Sequence, residues 1–92
     1  MLKIAWLPSA VNDLAQILSY ISERSPQAAR NIRQLIESAV LPVAEHPYLY
    51  RNGRVSGTRE IVAHPNYIIV YRVTATDIEI INILHARQQY PE

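Results

Sequence analysis

The spacing of apolar positions changes part-way along the chain, and that change divides it into helices and strands. Leu2 to Trp6 reads as a short strand that ends before Pro8. Val11, Leu14, Ala15, Leu18 and Ile21 then recur at helical spacing, which predicts an amphipathic helix to about Ser22. Ser9 is its expected N-cap, and Asp13 stands close to its positive end. Ser25-Pro26 announces a second helix, with serine at the cap and proline at the first helical position. Ala29, Ile32, Ile36, Ala39, Val40 and Val43 carry its apolar stripe, and Pro42 is placed to end or kink it. Only Glu23-Arg24-Ser25 separates the two helices, so they form an antiparallel hairpin.

Beyond a loop from Pro47 to Arg54, with Asn52-Gly53 as its turn signal, the pattern becomes that of strands. Val55 to Ala63, Tyr67 to Val73 and Asp77 to Ala86 are joined by His64-Pro65-Asn66 and Thr74-Ala75-Thr76, short enough for hairpins. The order β-α-α-β-β-β predicts an α+β fold: a helix hairpin on one face of a mostly antiparallel four-stranded sheet. The 92 residues make one domain, 1–92. Two of the strands, Tyr67 to Tyr71 and Ile78 to Leu84, are apolar on both faces, yet two helices cover only one. A bare second face predicts a protein partner; strand ends and the 44–54 loop folding over it are the alternative.

Composition narrows the function classes. Apolar residues make up 49% and charged residues 18%, which suits a packed core. Cysteine is absent, which excludes disulfides, thiolate metal sites and thiol nucleophiles. No run of about 18 apolar residues exists to span a bilayer, and the N-terminal apolar stretch is too short for a signal peptide, so the expected compartment is the cytosol. Net charge is only +1, too little for general nucleic-acid coating. The bases are eight arginines and one lysine, Lys3, a bias toward forked recognition of carboxylates and phosphates.

Glycine-rich phosphate loops, paired carboxylates and Ser-His-Asp patterns are missing. His46, His64 and His85 are far apart in the chain, so no metal and no cofactor is expected. The one dense polar group is His85-Ala86-Arg87-Gln88-Gln89-Tyr90, directly after an apolar strand. With Arg59 and Arg72 on preceding strands, it has the residue types for RNA cleavage. Arginine would stabilise the phosphorane charge, and histidine or tyrosine would move protons. The alternative is a solvated strand end whose arginines pair with Glu60 and Glu79.

The stretch from Gly57 through His64-Pro65-Asn66-Tyr67 to Tyr71-Arg72-Val73, and Ile80 through Asn82, His85-Ala86-Arg87-Gln88 to Pro91, resembles the RelE/ParE toxins of type II toxin–antitoxin modules, most of all the ParE branch. Trp6-Leu7-Pro8 to Leu14 and Leu41-Pro42 to Tyr50 extend the likeness over nearly the whole chain. The resemblance implies a sheet with the first strand beside the last. It implies a bacterial, cytoplasmic toxin neutralised by a cognate acidic antitoxin whose C-terminal region folds onto it, and higher-order complexes on operator DNA through that antitoxin. Antitoxin contacts are expected in the helix-hairpin groove, at Leu14, Leu18, Ile21, Ile32 and Ile36 where these are not core. ParE-like members inhibit DNA gyrase, for which His85, Arg87, Gln88, Gln89 and Tyr90, backed by Arg59 and Arg72, are the expected contacts. RelE-like members cut mRNA on the ribosome, and Arg59, His85, Arg87 and Tyr90 would then be catalytic. The single lysine and near-neutral charge favour gyrase. A member without toxicity that only pairs with its antitoxin is the third reading.

Overall fold

The computed structural model describes residues 2–91. Strand β1 (Lys3–Trp6) leads into helix α1 (Pro8–Ser22), and helix α2 (Pro26–Val40) follows after a tight turn. A 3₁₀ turn over Leu41–Ala44 precedes strands β2 (Arg51–Asn52), β3 (Arg59–His64), β4 (Tyr67–Val73) and β5 (Asp77–His85). The sheet order is β1-β5-β4-β3-β2, with β1 parallel to β5 and every other pair antiparallel. The first strand therefore lies beside the last, as expected. The sheet has five strands because two loop residues, Arg51 and Asn52, pair with Glu60 and Arg59. Val55 to Thr58, expected as strand, instead close the β2–β3 turn: the Thr58 N–H donates to the Val55 carbonyl, and Gly57 takes a φ of 83° that favours glycine.

Both helices start at proline. The Ser25 hydroxyl caps α2 by accepting the Ala28 N–H at 3.1 Å. The α1 cap is Leu7 without a side-chain bond, because Pro8 already occupies the first helical position. Ser9 is thus inside the helix, and its hydroxyl donates to the Ile81 carbonyl at 2.5 Å. Pro42 ends α2 as expected, and the 3₁₀ turn buries Val43 and Ala44. Helix α1 lies over β5 and α2 over β3. Leu14, Leu18, Ile36, Ile69, Tyr71, Ile78, Ile80 and Ile83 fill the layer between helices and sheet.

β5 changes face part-way along. Tyr71 faces Ile80 and Val70 faces Asn82, so Ile81 is an extra residue without an opposite partner. This bulge resets the alternation. Ile78 and Ile80 point to the helices before it; after it Ile83 does so, while Leu84 joins Ile68 and Val70 on the other face. That second apolar cluster is not bare. Ile81, Ala86 and Tyr90 pack against it, so the chain's own C-terminal turn covers much of what a partner was expected to cover. Val62, beside Ile68 on β3, stays exposed.

Candidate functional site

Where β1 ends at Trp6, the edge of β5 would be left with open backbone groups. The Leu7 backbone and side chains of helix α1 fill the gap. The Leu7 N–H donates to the Ile80 carbonyl and the Ser9 hydroxyl to Ile81. Asp13 Oδ2 accepts the Ile83 N–H at 3.0 Å and Asn82 Nδ2 at 2.9 Å. The Tyr90 hydroxyl donates to Asn82 Oδ1 at 3.3 Å, so Asp13, Asn82 and Tyr90 form one chain of contacts that fixes the C-terminal turn. Buried edge groups need such partners, which is why Asp13 matters beyond its place near the helix start.

The end of β5 carries the exposed polar group. The His85 N–H donates to Gln88 Oε1 at 3.2 Å, and His85 Nδ1 accepts the Arg87 N–H at 3.1 Å. His64 Nδ1 accepts the Asn66 N–H in the same way. Tyr67 lies between the two histidines, its ring centroid 5.6 Å from that of His64 and 5.7 Å from that of His85. With Asp13, Gln16 and Tyr20 of α1, Tyr67, His85 and Gln88 line a cleft of about 450 Å³. Arg87, Gln88 and Gln89 are exposed, and Arg87 has no ion pair among the described residues.

Arg59 does not belong to this group. Its guanidinium donates to the Tyr50 carbonyl at 2.8 Å and to the Tyr48 carbonyl at 3.3 Å, and stands 5.1 Å from the Tyr48 ring centre. It faces Tyr71, whereas His85 faces Tyr67. Four residues of strand separate these rows, roughly 13 Å. Tyr71 completes the same clamp. Its hydroxyl donates to the Pro47 carbonyl at 2.6 Å, and its ring meets Tyr50 edge-on. Burial pushes the Tyr71 hydroxyl up to about 12, opposed by the nearby Arg59 charge and aided by Tyr50.

The remaining arginines divide similarly. Arg72 pairs with Glu79 directly across the strands. The buried Glu60 accepts from Arg51, from the Arg54 N–H and, at 3.5 Å, faces the Arg54 side chain; Arg59 is not its partner. Arg72 and Arg59 are therefore held by other groups, and Tyr90 is half-buried on the second face. Of the expected contacts, His85, Arg87, Gln88 and Gln89 remain open together. Tyr71 and the Asp13–Asn82 link were not singled out from sequence; Glu60 and Glu79 were expected to pair with arginines, and Arg72 does pair with Glu79, while Glu60 takes Arg51 and Arg54 instead of Arg59. That choice carried a local signal, a carboxylate nine residues from Arg51 and six from Arg54.

The helix hairpin carries an apolar groove of about 270 Å³ lined by Trp6, Val11, Leu14, Ala15 and Leu18 and rimmed by Arg33 and Glu37. Leu14 and Leu18 are core residues that also form its floor. Ile36 is fully buried and offers no surface to a partner, while Ile21 and Ile32 are partly buried against the core.

Residues 4–90 match the family described as ParE toxin of type II toxin–antitoxin system, parDE. This chain belongs to that family. Y4kP of Sinorhizobium fredii, assigned as a toxin, is 41% identical over 98% of the chain and 94% of its own length. Toxin RelE2 of Caulobacter vibrioides is 34% identical over 94% of the chain and 97% of its own length. The toxin fold superposes on a chain of the chromosomal ParDE system from P. aeruginosa with a TM-score of 0.81 at 25% identity, covering 92% of this chain and 96% of that one. YafQ from E. coli shares the fold at a TM-score of 0.52 and 16% identity, covering 94% of each chain. No helix among the described residues is long and apolar enough to cross a membrane.

Proposed function

We propose that this toxin arrests growth in the bacterial cytoplasm by binding DNA gyrase, without itself cleaving nucleic acid, and that a cognate antitoxin neutralises it. The observation that carries the reading is the separation of Arg59 and Tyr90 from His85 and Arg87, the other two residues expected of a nuclease. Arg59 is committed to two backbone carbonyls roughly 13 Å along the sheet from His85. Tyr90 packs on the opposite face. A phosphorane would need cationic and proton-transferring groups converging on one point. What converges instead is an exposed polar rim, His85, Arg87, Gln88 and Gln89, suited to binding. The acidic antitoxin is assigned to the interhelical groove, whose Leu14 and Leu18 floor accepts an apolar helix face while Arg33 meets carboxylates. Operator complexes would then form through the antitoxin.

The cleft with Tyr67, His85 and Gln88 favours ribosome-dependent mRNA cleavage as the second reading. A supercoiling assay decides between them. Gyrase with relaxed or supercoiled plasmid, given toxin freed from antitoxin, should lose supercoiling or accumulate cleaved DNA, reversibly on adding antitoxin. An unaffected gyrase, with folded toxin that still binds antitoxin, sinks the proposal and transfers the weight to mRNA.

A further inference from the structure

The Arg59 and Tyr71 clamp holds a turn whose outer residues face water. Leu49 is 75% exposed and Tyr48 is 67% exposed, the two most exposed large apolar side chains of the described residues. Here the Pro47, Tyr48 and Tyr50 carbonyls are all bonded to the sheet beneath, by Tyr71 and Arg59. The Tyr48 ring is further steadied by the Arg59 cation. The result is an apolar projection fixed before any partner arrives, which lowers the ordering cost of binding. A few such anchors, with tyrosine among the favoured types, carry most of the energy at protein interfaces.

We infer that Tyr48 and Leu49 form the knob by which this toxin engages a folded protein target, inserting into an apolar cleft with an acidic rim. The inference rests on the chain being a growth-arresting toxin and adds the surface that grips the target. A folded partner is required by shape. A segment that folds on binding has no pocket of its own, so it fills grooves such as the one between the helices. A projection needs a cleft that already exists. The acidic rim follows from charge. Arg51, Arg54 and Arg59 lie at the base of the turn or in the strands it enters, against Glu60, which two of them share, and Glu45.

The test is inducible expression of Leu49→Asp, Leu49→Lys and Leu49→Ser, with growth arrest, antitoxin affinity and thermal melting measured for each. Leu49→Asp should weaken growth arrest roughly tenfold or more, as for loss of an interface anchor. Leu49→Lys should retain more toxicity than Leu49→Asp, since an acidic rim repels only the carboxylate. Antitoxin affinity should stay within about threefold and melting within about 2 °C, as for an exposed site. If Leu49→Asp does not fold, Leu49→Ser carries the comparison. Undiminished growth arrest overturns the inference. So does a parallel fall in antitoxin affinity in a folded variant, which would place the knob in the antitoxin interface. Equal losses for Lys and Asp remove the acidic rim. Growth arrest makes no assumption about the target: a knob-dependent toxin that leaves gyrase untouched refutes gyrase and keeps the knob. A knob variant that inhibits gyrase as wild type does the reverse.

Discussion

Replacing Arg59 with alanine separates binding from catalysis. In the structure Arg59 is a clamp: one charge-assisted bond of 2.8 Å to the Tyr50 carbonyl, a longer one of 3.3 Å to the Tyr48 carbonyl, and a cation over the Tyr48 ring. Hydrogen bonds from charged groups contribute about 1.5–3 kcal/mol, the longer one here less than that, and an exposed cation–π contact about 0.5–1 kcal/mol. Partial exposure of the site lowers the sum, so Arg59→Ala should cost about 2–4 kcal/mol. For a domain of this length that is a fall in Tm on the order of 10–20 °C. Circular dichroism melts of the toxin should show it, with growth arrest falling only as far as folded protein is lost. Arg59→Lys should recover little stability, because an ammonium has no planar fork to span two carbonyls. A variant that melts like wild type but has lost all toxicity would refute this reasoning. It would mean that Arg59 acts on a phosphate, and the nuclease reading would return.

Asp13→Ala should cost about 1–3 kcal/mol, because it strips the Ile83 N–H of its acceptor on an edge that no strand covers. Hydrogen exchange should show the Ile83 amide opening faster than amides at the β1–β5 pairing, and equal protection would refute the edge-filling role. Tyr71 gives an alkaline limit. Its folded pKa of about 12 lies above the ordinary 10, so the unfolded chain loses this proton first as pH rises. Its contribution is fully present below about pH 10 and is lost between about pH 10 and 12, by about 1–3 kcal/mol. Tyr71→Phe should be less stable at pH 7 through loss of the bond to Pro47, yet decline less over that alkaline range. Parallel pH–stability curves for the two proteins would rule this out.

The local periodicities settled the helix hairpin and the order of helices before strands, because these depend on neighbours within one or two turns of chain; the pairing of first and last strands, which sets Lys3 beside Asp77, came from the family resemblance. Ser25-Pro26 set the start of α2 and Pro42 its end by chemistry that needs no distant partner. The doubly apolar strands were also legible, but not what covers them. One extra residue at Ile81 turns Leu84 to the second face, and the turn after β5 brings Ala86 and Tyr90 over that face. A shift of one position reverses every later side chain in a strand, and periodicity alone does not locate it. The candidate site depended still more on tertiary contacts. Asp13 meets Ile83 across 70 positions of chain, and Tyr71 meets Pro47 across 24. Arg59 had the residue type of a phosphate ligand, and the sequence offered no means to tell that from a clamp on a turn. Only folding showed that its donors are already satisfied by carbonyls, while His85 and Arg87 stay open to solvent at the far end of the sheet. Residue type sets what a side chain can do; which groups reach it first is decided by the packing of segments far apart in the chain.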